Sequence, residues 1–269
     1  MKKLFILFSA IILTLCSLTA CGKRSENHIV VGATSTPHAE ILQFIKEDYE
    51  KLGYKLDIII YSDYIMPNVS LAMGDLDANY FQHLPYLQQY NSQRQTSLIS
   101  ACAVHYEPMG IFAKGVNSLS EIPQNALIII PADQSNQARA LLLLAENNII
   151  TLAPNASIAE ITVLDVLDNK GHILRPVEAA SIPAQLNQGD NGTVGVINGN
   201  YALASGISLN TALAVENNDS QAALTYANIL AVQQGAEKRQ AIIDLVNLLT
   251  SEKVKNYISA NYQGAVLPI

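Results

Sequence analysis

The sequence predicts an α/β protein built on mainly parallel sheets with flanking helices. Three observations carry that expectation. β-Branched strand segments alternate with helical patterns along most of the chain. The run Ile58-Ile59-Ile60 is apolar on both faces, as strands buried in a parallel sheet are. The 269 residues are 49% hydrophobic and only 14% charged, enough apolar material for one or two domains with real cores.

The first segment stands apart from the fold. Met1-Lys2-Lys3 is a basic start, and Leu4 to Leu15 is an apolar stretch too short to span a bilayer, which needs about 20 apolar residues. Residues 1–20 therefore read as a secretory signal peptide. Leu18-Thr19-Ala20-Cys21 resembles the bacterial lipobox, which implies a diacylglyceryl thioether on Cys21 and a further acyl chain, such as palmitate, on its amino group. More than one chain gives stable membrane anchoring where a single chain gives only marginal binding. Residues 22–27 are a short polar tether.

From His28 the units follow in order. His28 to Ala33 is a strand; Thr36-Pro37 offers an N-cap followed by proline at the first helical position. Ile41, Leu42, Phe44, Ile45, Tyr49 and Leu52 then recur at helical spacing, and Gly53 closes the helix. Leu56 to Tyr61 is the next strand. A second strand–helix unit pairs Leu127–Ile130 with a helix over Asn136–Asn147. Strands are expected over Glu160–Leu167 and Val194–Ile197, and a further unit from Leu203. The chain closes with one amphipathic helical stretch, Glu237–Asn261.

Composition excludes several classes of function. The net charge of −7, made about two charges more negative by loss of Lys2 and Lys3, argues against nucleic acid as a partner, because phosphates require a Lys/Arg surface. Cys16 leaves with the signal and Cys21 carries lipid, so Cys102 has no partner for an intrachain disulfide. No phosphate-binding glycine loop, H-E-x-x-H, C-x-x-C or G-x-S-x-G motif is present, so neither a cofactor nor catalysis is expected.

Open α/β sheets bind ligands beyond the C-terminal ends of their strands, and that rule selects the candidate site. Tyr64 follows one strand. Phe81 and His83 end another, with Tyr86 three residues on, on the face His83 shares at a helix start. Together they can wall a pocket for an unbranched apolar side chain; a thioether suits aromatic walls. Asn136 and Arg139 fall on one face in the first turns of a helix, where free N–H groups, the helix dipole and a guanidinium favour a carboxylate. Asn198 and Asn228 open further segments and offer both donors and acceptors.

Together these segments resemble the NlpA-type family of methionine-binding lipoproteins that serve ABC importers. The match lies in Ser62-Asp63-Tyr64 with Pro67-Asn68, in Asp77-Ala78-Asn79-Tyr80-Phe81-Gln82-His83 with Pro85-Tyr86-Leu87, and in Glu107-Pro108-Met109-Gly110. It continues through Ser135-Asn136 with Arg139 and Asn198 with Asn200-Tyr201, nearly the whole chain. Ala132 departs from the Asn expected in many relatives.

The resemblance implies a two-lobed, periplasmic-binding-type (type II) fold with ligand in the interlobe cleft, one lobe formed by 28–112 plus 214–269 and the other by 113–213. It implies methionine, of either hand, or a related small amino acid as ligand. Tyr64, Phe81, His83 and Tyr86 would surround the thioether, Arg139 would take the carboxylate, and Asn136, Asn198 and Asn228 would fix the amino and carboxylate groups. Expected partners are an ABC permease and its ATPase, with the protein lipid-anchored on the extracytoplasmic side of a membrane in the bacterial cell envelope. Two rival readings are a metal-capturing importer component using His38, His83 and His105, and a surface adhesin.

Overall fold

A computed structural model describes residues 25–154, 161–217 and 220–269. The signal segment, Cys21 and the start of the strand expected from Glu160 lie outside the described residues.

The elements run β1 (His28–Thr34), α1 (Glu40–Lys51), β2 (Lys55–Tyr61), α2 (Met66–Met73), β3 (Ala78–His83), α3 (Leu84–Arg94), β4 (Leu98–Tyr106) and β5 (Gly110–Ala113). Then come β6 (Leu127–Pro131), α4 (Gln134–Glu146), β7 (Thr151–Leu152), β8 (Val166–Asp168), β9 (Ile173–Val177), α5 (Ile182–Gln188), β10 (Val194–Ile197), α6 (Gly199–Ala204) and β11 (Ala214–Val215). The chain ends with α7 (Ser220–Thr225), β12 (Asn228–Gln233), α8 (Gln240–Leu249), α9 (Glu252–Asn261) and β13 (Leu267–Pro268).

Two sheets result. The first has the order β13-β4-β12-β3-β1-β2, the second β11-β5-β10-β6-β9. The α/β class holds, but the sheets are mixed rather than mainly parallel. β1 pairs parallel with β2 and β3, while β12 returns from the second half of the chain to lie antiparallel between β3 and β4. In the second sheet β6 pairs parallel with β9 and β10, and β5 runs antiparallel to β10 and β11. The chain crosses between sheets from β4 to β5 and returns from β11 to β12. β5 and β11 are thus strands of the second sheet.

Each sheet is covered by helices that bury their apolar stripes. α1 contributes Ile41, Leu42, Ile45 and Tyr49 to a core shared with Ile242 and Leu245 of α8 and Val254 and Ile258 of α9. α4 places Ala138, Leu141 and Leu144 against Ile128, Ile130, Val194 and Val196. Ile182 and Leu186 of α5 cover the opposite face at Ile129.

Several local expectations shift. Thr36 stays extended (φ −123°, ψ 134°), so α1 begins at Glu40 rather than behind a Thr36 cap; Gly53 ends it with φ +93°, as expected. Ile58-Ile59-Ile60 lies on an edge strand bonded to β1, which leaves Ile60 62% exposed. The C-terminal stretch is two helices, because the Ser251 hydroxyl accepts the Val254 N–H and starts α9 afresh. In place of a strand over Glu160–Leu167, Val163–Asp165 form a 3-10 turn leading into β8.

Candidate functional site

A nearly closed cavity of about 20 Å³, room for about one water molecule, lies where the strand ends of the two sheets meet. All eight sequence candidates line it: Tyr64, Phe81, His83 and Tyr86 from the first sheet's side, Asn136, Arg139 and Asn198 from the second, and Asn228 at the start of β12. Gln82, Glu107, Gly199 and Asn200 line it too.

The aromatic wall is set by turn and cap chemistry. The Asp63 carboxylate accepts the N–H groups of Ile65 and Met66 at 2.7 and 2.8 Å, which fixes the turn carrying Tyr64. The Tyr64 ring lies 5.8 Å from both Phe81 and Tyr86, and Tyr86 donates its hydroxyl to the Tyr64 carbonyl at 2.9 Å. Tyr64 also stacks on Tyr201 at 4.7 Å and donates to Asn200 Oδ1, so this wall is tied to α6 across the cleft.

His83 caps α3, its Nδ1 accepting the Tyr86 N–H at 3.2 Å. That fixes the tautomer: Nε2 carries the proton and donates to Asn136 Oδ1 at 3.2 Å. Burial, then the nearby Arg139 charge, lowers the His83 pKa to about 3, so the ring is neutral at pH 7.

On α4, Asp133 is the N-cap. Its side chain accepts the Asn136 backbone N–H at 3.0 Å and the Asn136 amide at 2.9 Å, so the Asn136 oxygen faces the cavity. That oxygen also receives Asn198 Nδ2 at 2.7 Å. Asn198 Oδ1 is then left buried with no partner, an acceptor without a donor in a cavity wall. Such an atom costs roughly 1–3 kcal/mol unless a ligand or water satisfies it. At the other end, Asn228 Oδ1 accepts from His38 Nε2 at 3.0 Å, leaving its amide N–H groups for the cavity.

Arg139 departs from the simplest expectation. Its Nε and Nη2 already form a two-pronged pair with Glu216, at 2.9 and 2.5 Å. Nη2 also donates to the Glu107 carbonyl at 3.2 Å, and Tyr226 covers one guanidinium face at 4.5 Å. Nη1 has only a long contact, 3.5 Å, to Asn136.

Glu107 is a buried carboxylate in the cavity wall that sequence reasoning did not single out. Burial pushes its carboxyl up. Its Oε1 accepts from His105 Nε2 at 2.7 Å and lies 3.4 Å from His38 Nε2. Thr34 and Tyr80 hold the remaining ring nitrogens of His38 and His105. Burial lowers these two histidines to about 4 and about 3, so both are neutral. Ligand atoms of His38, His105 and Glu107 lie within 4.8 Å of one another, while His83, the third member of the rival metal set, is bonded elsewhere. Every ring nitrogen of His38 and His105 has a protein partner, so the cluster acts as a buttress for Glu107 and Asn228.

The missed residues lie in stretches that carry the family resemblance, Glu107 in Glu107-Pro108-Met109-Gly110 and Asn200 in Asn198 with Asn200-Tyr201. Position was legible there; role was not. Glu216 carried no local signal, because it meets Arg139 across 77 residues of chain.

A two-sheet α/β molecule that closes a small cavity, walled by aromatics on one side and amides and an arginine on the other, is built to enclose a small amphiphilic solute. The chain belongs to the NlpA lipoprotein family, which it matches over residues 29–269. It is 36% identical to the methionine-binding lipoprotein MetQ of Bacillus subtilis, covering 100% of this chain and 99% of that one. It is 30% identical to the D-methionine-binding lipoprotein MetQ of Escherichia coli O157:H7, covering 93% and 92%. Its structure superposes, with a TM-score of 0.83 and 35% identity, on a nutrient-binding protein from Burkholderia cenocepacia bound to methionine, covering 89% and 99% of the chains. Another relative, 34% identical, is a membrane lipoprotein of Treponema pallidum. Among the described residues no helix is long and apolar enough to cross a membrane.

Proposed function

We propose that the protein captures methionine outside the cytoplasmic membrane and delivers it to an ABC importer. The observation that carries this reading is the make-up of the cavity wall, which joins three aromatic rings, Tyr64, Phe81 and Tyr86, with an arginine, a buried carboxyl and four asparagines. A thioether side chain belongs against Tyr64, Phe81 and Tyr86. The carboxylate belongs beside Arg139 Nη1 and the Asn228 amide, which have donors to spare. The ammonium belongs between the unpaired acceptor Asn198 Oδ1 and the buried Glu107 carboxyl. A zwitterion engages both ends while adding no net charge to the buried site.

Two lobes, one around each sheet, would close on the ligand about the two crossovers, and the closed form would dock on a permease with its ATPase. Cys21 would anchor the protein by its acyl chains. Binding rather than catalysis is the role, since His83, His38 and His105 are all consumed in holding other groups.

Mass spectrometry of small molecules released by denaturing the purified protein tests the ligand. Methionine is the expected species. A different amino acid, a peptide or a stoichiometric metal ion would contradict it.

A further inference from the structure

Resting on the methionine reading, we infer that Glu216 is the positioning residue of the carboxylate subsite: it permanently occupies the Nε/Nη2 edge of Arg139, so that the ligand carboxylate is received by Nη1 alone.

A guanidinium has five N–H donors in a fixed plane, and a carboxylate usually takes the two parallel ones. Here Glu216 takes those, through Nε at 2.9 Å and Nη2 at 2.5 Å, and the second Nη2 proton goes to the Glu107 carbonyl. Only Nη1 is left with a weak contact, and it is the end that Asn136 shares in the cavity wall. Glu216 is itself held rigidly. Its Oε2 accepts the Tyr106 hydroxyl at 2.9 Å and the Met109 N–H at 3.0 Å, and its own N–H donates to the Met109 carbonyl at 2.8 Å.

The place of these contacts matters. Tyr106 ends β4 and Met109 precedes β5, so both flank the outgoing crossover; Glu216 follows β11 and opens the returning one. One side chain therefore ties Arg139 to both connections between the sheets. A ligand carboxylate on Nη1 pulls on a guanidinium already fixed to the hinge, and Arg139 arrives pre-aimed. The Glu216 carboxylate also balances the Arg139 charge, so the pocket does not bury an unpaired cation when empty.

The test is an NMR titration of the purified, ligand-stripped protein labelled with 15N-arginine, with Arg139 assigned by loss of its signals in Arg139→Lys. L-Methionine is expected to shift the Nη1 resonances and leave the Nε–H signal near its starting position. Alongside it, Glu216→Asp keeps the charge but draws the carboxylate back by one methylene, and is expected to weaken methionine binding at least about tenfold. A moving Nε–H signal means the fork is handed to the ligand and overturns the proposal, as does unchanged affinity in Glu216→Asp. Should that variant not fold, the wild-type spectra decide alone. A methionine titration that moves no arginine signal overturns the functional reading and this inference together.

Discussion

Asn136 shows how the cavity is organised at the scale of single residues. Its amide is turned by Asp133, and its oxygen collects donors from His83 and Asn198 with a longer contact from Arg139. An acceptor this crowded fixes three side chains from three elements at once. Arg139 is the charged member, 4% exposed, and truncating it strands Glu216 as an uncompensated buried charge. Arg139→Ala is therefore expected to lower both methionine affinity and thermal stability, each by about 2–5 kcal/mol. Calorimetry with a melting curve checks this, and loss of affinity without loss of stability would show that Glu216 does not depend on Arg139.

The histidines make a second prediction at this scale. His38, His83 and His105 have folded pKa values lowered to about 4, 3 and 3 from the ordinary 6.5. The unfolded chain therefore takes up protons first as pH falls. Their stabilising contribution is complete above about pH 6.5 and is lost progressively between there and about pH 3. Glu107 and Asp133, both raised by burial, work in the opposite sense, and the three histidines outnumber them. The melting temperature is expected to fall steadily from pH 7 to pH 4.5, and a flat profile would mean that the three rings are not neutral and buried.

At the scale of elements, the site depends on how helices begin. α4 opens at Asp133, whose carboxylate serves both the helix end and the Asn136 side chain. Asp133→Ala is expected to cost about 0.5–2 kcal/mol in stability, the usual loss for a cap. It should also weaken ligand binding, because Asn136 loses its orientation; a stability change with unaltered affinity would separate the two roles.

Elements are also where the sequence was read well in some places and poorly in others. The helical stripe of Ile41, Leu42, Ile45 and Tyr49 and the strand before Asn198 are local patterns, and they lie where their periodicity puts them. Ile58-Ile59-Ile60 reads as a central strand because composition carries no information on which neighbours a strand finds. The break at Thr250–Ser251 hides inside a continuous amphipathic pattern because a capping serine is also an ordinary surface residue. The antiparallel insertion of β12 between β3 and β4 is a long-range pairing with no local sign.

At the scale of the whole molecule, the cavity is held shut by bonds between the two sheets' elements. Tyr64 reaches Asn200, His83 reaches Asn136, and the Ser135 N–H donates to Gln89 Oε1 at 3.0 Å. Seven of the eight candidate residues lie at or just beyond the C-terminal end of a strand, where the strand-end rule looks, and Asn228 joins them because β12 is antiparallel and begins beside His83. Glu107 and Glu216 escaped because they sit at the two crossovers, whose meeting is a property of the complete topology. Ten polar side chains line one small cavity, and the buried Asn198 Oδ1 among them has no protein partner, an acceptor for a ligand to complete.

Isothermal calorimetry on protein unfolded and refolded to remove bound solute tests that claim most directly. Saturable one-to-one binding of L-methionine is expected, with weaker binding for analogues lacking the free ammonium or the carboxylate. No heat and no thermal stabilisation with either L- or D-methionine, in protein that has regained its native melting transition, would contradict it.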